Sequence, residues 1–208
     1  MIEMKRKRIR VALSAALMLL ATPASAQPVS DADLARADEL YRQGNVAFDA
    51  GKFEDALKLY RDAFAIKKSY DIAGNLGATE LKLGSQREAA EHLSFSLRLF
   101  PANGKEKARK VTMNALAEAK TKVGCFAITV NVAGAKVQLG DRVVGISPVV
   151  DVACAYPAPS KLRVERDGYE IFEQEITPEV GKDVPISVTL KAGASGGGGG
   201  GGGGSDEP

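Results

Sequence analysis

The strongest constraint on the fold is a change in hydrophobic period near residue 124. Between residues 31 and 122, apolar residues recur every three or four positions, as on one face of an amphipathic helix. Beyond that point, apolar and polar residues alternate in segments such as 126–132 and 184–191. Alternation of this kind is typical of strands that bury one face. The sequence therefore predicts an α+β chain with two domains, helical at 31–122 and a small antiparallel β-sandwich at 124–191.

The N-terminus has the layout of a secretory signal peptide. Five basic residues precede an apolar run at 11–21, and Ala24-Ser25-Ala26 forms a small-x-small site before Gln27. A retained membrane anchor is the alternative, but the run is shorter than the ~20 residues that a spanning helix needs. We expect residues 1–26 to be removed, leaving an exported protein of the periplasm, cell surface or medium without an integral membrane segment.

The charge balance argues against nucleic-acid binding. The chain has 28 basic and 26 acidic residues and a net charge of +2. Five of the basic residues and one acid lie in 1–26, so the remainder carries 23 basic and 25 acidic residues and a net charge of −2. Binding to nucleic acid needs a basic face that neutralises phosphates. We therefore expect partners of another class.

The two cysteines are candidates for a disulfide. Cys125 and Cys154 both lie in the strand-rich part, and export with an even cysteine count favours a bond. Two buried thiols are the alternative. Phe126 and Ile128 define the inward face of the first strand, so Cys125 belongs to the other face or to the strand's start. A bulge or an edge position is then expected where the sulfurs meet.

The helical part contains an internal repeat. Gly44, Gly51 and Ala56 recur 33 residues later as Gly77, Gly84 and Ala89, which indicates two helix–turn–helix units. The segments QGNVAFDAGKFEDALKLYRDAFAI (43–66) and NLGATELKLGSQREAAEHLSFSLRLFP (75–101) resemble the tetratricopeptide repeat.

The second repeat departs from that pattern at Glu80 and Gln86, where an aromatic residue is usual, so we expect it to be the more exposed or the more mobile of the two. A fifth helix at 105–122, with an apolar stripe from Ala108 to Ala119, is expected to cap the open face.

The resemblance implies a groove for a protein partner. In this family, partners usually bind the concave surface formed by the first helix of each repeat. The matching positions here are Asp38, Tyr41, Asn45, Phe48, Asp49, Asp71, Ala78, Leu81 and Lys82. With two repeats the groove is short, and the alternative is that Tyr41 and Phe48 only pack on neighbouring helices.

The strand part contains tight turns. Gly140-Asp141 and Asp167-Gly168 each separate two alternating segments, as in hairpins. The segment GAKVQLGDRVVGISP (134–148), the later DGY and the closing VPISVTL resemble the PEGA domain, a small β-sandwich of bacterial envelope and surface proteins. Two features differ from that family: the Gly-Asp order is reversed, and Tyr-Pro-Ala-Pro-Ser at 156–160 replaces the Pro-Glu-Gly-Ala stretch.

The sequence contains no recognisable catalytic, metal or cofactor motif. His92 is the single histidine and is expected on a helix surface, and no Gly-x-Ser-x-Gly elbow accompanies it. We therefore expect no enzyme and no cofactor. The glycine-rich end, 192–208, is expected to be disordered, either as a tether or as an inert extension.

The sequence leaves two functions open. The first is a non-enzymatic protein–protein interaction or scaffolding role in the bacterial cell envelope, with other envelope proteins bound by the helical repeats. The alternative is a module that binds carbohydrate or cell-wall peptidoglycan through exposed aromatic side chains of the sandwich, such as Tyr156 and Tyr169.

Overall fold

The computed structural model describes residues 29–193 as five helices followed by seven strands. The helices are α1 Asp31–Asp49, α2 Phe53–Ile66, α3 Tyr70–Lys82, α4 Gln86–Arg98 and α5 Glu106–Ala119. The strands are β1 Gly124–Val130, β2 Lys136–Leu139, β3 Arg142–Ile146, β4 Ala153–Ala155, β5 Ser160–Glu165, β6 Phe172–Ile176 and β7 Asp183–Val188. The chain is therefore α+β, as its change of period predicts.

The first four helices form two consecutive antiparallel hairpins. Ser30 caps α1 by accepting a hydrogen bond from the Asp33 amide. The turns between helices contain Gly51 and Gly84, whose φ angles of 74° and 77° lie in the left-handed region that favours glycine. Within the second hairpin, a Cβ added at Gly77 would lie 2.7 Å from Leu93 Cγ, so the absence of a side chain sets the close approach of α3 and α4.

The second hairpin is the more buried of the two, which contradicts the greater exposure expected from Glu80 and Gln86. The Glu80 side chain is fully buried. One of its oxygens accepts a hydrogen bond from Arg61 Nη2 at 3.2 Å, and the other lies 2.7 Å from His92 Nδ1. Polar partners on α2 and α4 thus replace the packing that an aromatic side chain would supply.

Tyr60 anchors the first hairpin. Its ring packs against Gly44, where an added Cβ would lie 2.6 Å from Tyr60 Cε1, and its side chain is 1% exposed. The hydroxyl donates to Asn45 Oδ1 at 2.7 Å. Burial raises the pKa of Tyr60 to about 12, since an ionised phenolate would lose its hydration there.

This raised pKa predicts base sensitivity. The unfolded chain ionises Tyr60 near pH 10, whereas the folded chain keeps the proton until about pH 12. The stabilisation is therefore present below pH 10 and is lost as the pH rises through 12, by up to about 3 kcal/mol. Urea unfolding at about pH 9 and about pH 11.5 should show a smaller loss of stability in Tyr60→Phe than in the parent chain. Equal losses in both proteins would contradict this assignment.

The strands form a sandwich of two sheets. One sheet has the order β4-β1-β7 and the other the order β3-β2-β5-β6. Inward side chains of both sheets build one core, which includes Phe126, Ile128, Val137, Leu162, Val164 and Val188. The expectation of a wholly antiparallel sandwich is wrong for one pair, because β1 and β7 run parallel. Alternation reports which face of a strand is buried and carries no information on strand direction.

Both predicted hairpin turns join strands that pair antiparallel, and only the first has a two-residue loop. Gly140 and Asp141 join β2 to β3, and Gly140 has a φ of 59°. The Asp167-Gly168 pair does form a turn, closed by a hydrogen bond from the Tyr169 amide to the Arg166 carbonyl at 3.1 Å. It lies, however, within a longer connection between β5 and β6, and Tyr169 pairs with Ala192 as an isolated bridge.

The predicted disulfide between Cys125 and Cys154 is present. The two residues are direct partners in the antiparallel pairing of β1 with β4, so no bulge separates them. β4 lies at the edge of its sheet, which is one of the two arrangements expected. Both sulfurs lie on the face of the sheet that is opposite to the sandwich core, because Phe126 and Ala153 occupy the inner face.

Two predicted segments lie wholly or largely outside the described residues. These are the signal peptide at 1–26 and most of the glycine-rich end at 192–208. The first two residues of the latter belong to the fold, since Ala192 bridges Tyr169 and the Gly193 amide donates to the Gly168 carbonyl at 2.9 Å. Among the helices of residues 29–193, none has the length and apolar character needed to cross a membrane.

Candidate functional site

A cleft of about 460 Å³ opens between α1, α3 and α5, with α4 beneath it. Small side chains and Leu93 form its floor, and apolar groups dominate its lining. Its walls and floor are formed by Tyr41, Tyr70, Asp71, Gly74, Asn75, Ala78, Leu93, Ser96, Phe100, Lys105, Lys107, Ala108, Val111, Thr112 and Ala115. An open, mostly apolar cleft with a few polar groups is typical of a binding site for a peptide or small molecule.

The cleft exists because only the C-terminal half of α5 packs on the bundle. Ala119 is buried and Leu116 is half-buried against the cluster that contains Ala90 and Leu93. In the N-terminal half of α5, Ala108 is exposed and Val111 is 62% exposed. The expectation that α5 caps the open face is therefore correct for its C-terminal half only, and the N-terminal part of its apolar stripe lines a cleft instead.

Two aromatic rings frame one end of the cleft. Tyr70 and Phe100 meet edge to face with their centroids 5.1 Å apart. Ser96 fixes this end from below, since its hydroxyl donates to the Tyr70 carbonyl at 2.6 Å. Gly74 leaves the space above Ser96 open, because an added Cβ would lie 3.1 Å from the serine hydroxyl. The apolar end is thus held by contacts that do not involve a ligand.

A chain of polar side chains forms the wall on the α1 side. Asn75 donates to Tyr41 Oη at 3.1 Å and to Asn45 Oδ1 at 2.8 Å. Burial and then the charge of Asp71 raise the pKa of Tyr41 above its usual value. The phenol therefore stays neutral, and because it accepts the bond from Asn75 it keeps its own proton to donate.

The charges at the cleft are separated. Asp71 lies on the α3 side, where its carboxylate accepts from the Ser69 hydroxyl at 2.5 Å and from the Ile72 amide at 3.0 Å. Lys105 and Lys107 lie at the start of α5. A cation near the N-terminus of a helix interacts unfavourably with the helix dipole, so these two lysines do not stabilise α5. Together with the dipole they make this rim attractive to anions.

Three of the predicted groove residues line the cleft: Tyr41, Asp71 and Ala78. Asn45 lies behind Tyr41 in the polar chain. Asp38 forms an ion pair with Lys67 at 2.8 Å, and this hydrogen bond raises the pKa of Lys67 above its usual value.

The other predicted positions lie elsewhere. Phe48 packs edge to face on Phe53 with their centroids 5.3 Å apart, and Leu81 packs on the cluster that holds the disulfide. Asp49 and Lys82 are exposed at the C-terminal ends of α1 and α3. The structure thus brings together Tyr41, Asp71 and Ala78, whereas the other predicted positions on α1 and α3 serve packing or the surface.

Sequence reasoning missed the half of the cleft that α5 and the preceding loop provide. Phe100, Lys105, Lys107 and Val111 all line it. The apolar stripe of α5 is the sequence feature that points to this half of the cleft. It begins at Ala108, and it extends beyond the residues that pack on α4. Whether such a stripe is covered depends on the angle between α5 and α3, which the pattern does not specify.

His92 is not a free surface histidine. It is half-buried, lies 2.7 Å from Glu80 Oε2, and meets Phe64 edge to face at a centroid distance of 5.3 Å. Its role is structural, because it satisfies a buried carboxyl group. In the part of the chain that the structure describes, no three His, Cys, Asp or Glu side chains come close enough together to hold a metal ion.

The two tyrosines considered for glycan stacking do not share a surface. Tyr156 is 45% exposed, and its hydroxyl lies 3.5 Å from Gln86 Oε1 on α4. Tyr169 is half-buried under Arg166, whose guanidinium carbon lies 5.3 Å from the ring centroid, and it pairs with Ala192. They lie at different places on the sandwich and do not form one platform.

Comparison with known families decides the nature of the strand part. A PEGA domain is detected at residues 123–194. The match begins at Val123, which packs with the disulfide, and it covers all seven strands of the sandwich. The PEGA domain therefore includes Ala192 and Gly193, beyond the predicted boundary at 191. No curated protein matches the chain.

Proposed function

We propose that this chain is an exported, non-enzymatic interaction protein of the bacterial cell envelope. In this proposal α1 to α4 are two tetratricopeptide-like hairpins, and the cleft that they form with α5 binds a segment of another protein. The PEGA domain and the disulfide suit an extracellular or periplasmic location, where disulfides form and persist.

The observation that carries the proposal is the cleft itself, with its apolar floor, its aromatic end and its charged rim. An apolar or aromatic side chain of the partner would lie over Leu93 and Ala78, next to Tyr70 and Phe100. Carboxylates of the partner would meet Lys105 and Lys107. The partner segment is therefore expected to be acidic and to contain at least one large apolar residue.

A peptide screen tests this proposal. Peptides that combine acidic residues with one aromatic or aliphatic residue are screened against the protein, and the affinity of a selected peptide is measured by calorimetry. Val111→Glu should weaken the binding of that peptide by about tenfold or more, because it places a carboxylate in a cleft that is apolar and binds acidic residues. Met113→Glu is the matched control, since Met113 is 49% exposed on the same helix and does not line the cleft.

Charge reversal supplies a second comparison. Lys105→Glu with Lys107→Glu should shift selection from acidic towards basic peptides, whereas Arg109→Glu with Lys110→Glu leaves it unchanged, because those two side chains do not line the cleft. Equal weakening by Val111→Glu and Met113→Glu would reject the cleft as the site. Saturable binding to purified peptidoglycan, lost in Tyr156→Ala or Tyr169→Ala and unchanged in Val111→Glu, would favour the glycan alternative.

A further inference from the structure

The disulfide lies at the boundary between the helices and the PEGA domain. Cys125 and Cys154 have no exposed surface. They share an apolar cluster with α4 and α5, whose members there are Ala89, Ala90, Leu93 and Ala119. The helices, and not the core of the sandwich, therefore cover both sulfurs.

One ion pair clamps α4 onto the strand that carries Cys154. Glu91 of α4 accepts hydrogen bonds from Arg142 at 3.1 and 2.8 Å, and from the Cys154 amide at 2.7 Å. Arg142 in turn donates to the Cys154 carbonyl at 2.9 Å. Both backbone polar groups of Cys154 are thus bound to a charged pair that spans the boundary, which makes these bonds stronger than neutral ones.

Two more ion pairs span the same boundary. Arg98 at the end of α4 donates through Nε to Asp151 at 3.2 Å. Lys120, which follows α5, donates to both carboxylate oxygens of Asp183 at 2.6 Å. The contact that covers the disulfide therefore consists of an apolar cluster, in which three of the helix residues are alanines, with charged pairs around it.

We propose that this contact is a redox-coupled latch, in which docking of α4 and α5 protects the Cys125–Cys154 bond and the bond in turn holds the docked arrangement. A reductant reaches the sulfurs only when the contact opens. Docking of the helices and formation of the disulfide are linked equilibria. A change that stabilises the docked arrangement stabilises the disulfide, and reduction of the disulfide destabilises the docked arrangement by the same free energy. Two thiols also need more room than the bond that they replace, and the packed cluster offers little.

The reduction is an ordinary exchange with a dithiol. A thiolate of the dithiol attacks one protein sulfur and forms a mixed disulfide, and the other cysteine leaves as a thiolate that takes a proton. The second thiol of the reagent then closes its own ring and releases the first cysteine. Two electrons and two protons pass from the dithiol to the protein, which ends with two thiols.

The rate of reduction tests the latch. Folded protein is exposed to dithiothreitol, free thiols are trapped with an alkylating reagent, and intact mass follows their appearance. Arg142→Met should be reduced about tenfold faster or more, because Glu91 loses its charged partner and opening becomes easier. Arg163→Met is the matched control, since Arg163 pairs with Glu165 and Glu173 on the outer face of the PEGA domain. Its rate should stay within about twofold of the parent.

Hydrogen exchange tests the reverse direction and does not depend on the Arg142 variant. In Cys125→Ser with Cys154→Ser, α4 and β4 should take up deuterium faster, while β5 and β6 keep the parent rate. Equal reduction rates in Arg142→Met and Arg163→Met would overturn the latch. The latch would also be overturned if deuterium uptake by α4 were unchanged in the double serine variant. The same holds if uptake rose by the same factor in β5 as in α4.

Discussion

A Gly124→Ala variant is expected to lose about 3 kcal/mol or more of its free energy of unfolding. A Cβ at this position would lie 2.2 Å from the Glu179 carbonyl oxygen and 2.7 Å from its carbonyl carbon. These are backbone atoms of a turn that is closed by a hydrogen bond from the Lys182 amide to the Glu179 carbonyl at 3.0 Å. The turn cannot yield as a flexible side chain would, so either β1 or the start of β7 has to move.

Urea unfolding followed by circular dichroism measures this loss. Gly145→Ala is the matched control, because its Cβ would lie 3.4 Å from Val149 Cγ2, an ordinary contact, and Gly145 is also a strand glycine without a positive φ. The control should fall within about 1 kcal/mol of the parent chain. If the two variants unfold at the same urea concentration, the turn at Glu179 is more adaptable than its contacts indicate.

The second large effect is expected at Glu80. Glu80→Ala should lower the free energy of unfolding by about 2–4 kcal/mol, because it opens a cavity and removes the carboxyl partner of Arg61 and His92 together. Both partners are partly exposed, so water can satisfy them in part, which keeps the effect below that of a fully buried pair. Thermal and urea unfolding near neutral pH measure it.

Glu80→Met separates the cavity from the lost hydrogen bonds. Methionine fills a similar volume with an apolar side chain, and replacing a buried polar group in this way often costs little. The methionine variant should therefore be more stable than the alanine variant by about 1 kcal/mol or more. A methionine variant as unstable as the alanine variant would show that the hydrogen bonds, and not the packing, carry the effect.

The helical part illustrates what periodicity predicts well. The repeat pattern predicts two helix–turn–helix units, and α1 to α4 form two such hairpins with Gly51 and Gly84 in their turns. These features depend on neighbours within a few residues along the chain. The burial of Glu80 does not follow from the repeat pattern, because its partners, Arg61 and His92, come from two other helices. A sequence pattern can place a carboxyl group at a position that is usually apolar. It does not show whether polar side chains from other helices contact that group in the fold.

The residues that line the cleft also fall into a predicted set and an unpredicted set. The resemblance to the tetratricopeptide repeat implies Tyr41, Asp71 and Ala78 as groove residues, and all three line the cleft. The α5 wall, with Lys105 and Val111, was not predicted, because the stripe on α5 was expected to be covered. The C-terminal half of α5 packs on the bundle through Leu116 and Ala119. That packing sets how far the N-terminal half of α5 lies from α3.

The sequence by itself determined the α+β organisation, the two helical hairpins and the alternation of the strands, since each follows from spacing along the chain; the resemblance to the PEGA domain, detected at 123–194, rests on the residues themselves. It also indicated that Cys125 and Cys154 belong together. Only the tertiary structure decided that β7 runs parallel to β1, that α5 leaves a cleft, and that the disulfide faces the helices. The physical reason is common to all three: they depend on contacts between residues far apart in the chain, whereas spacing reports only which face of each element is apolar.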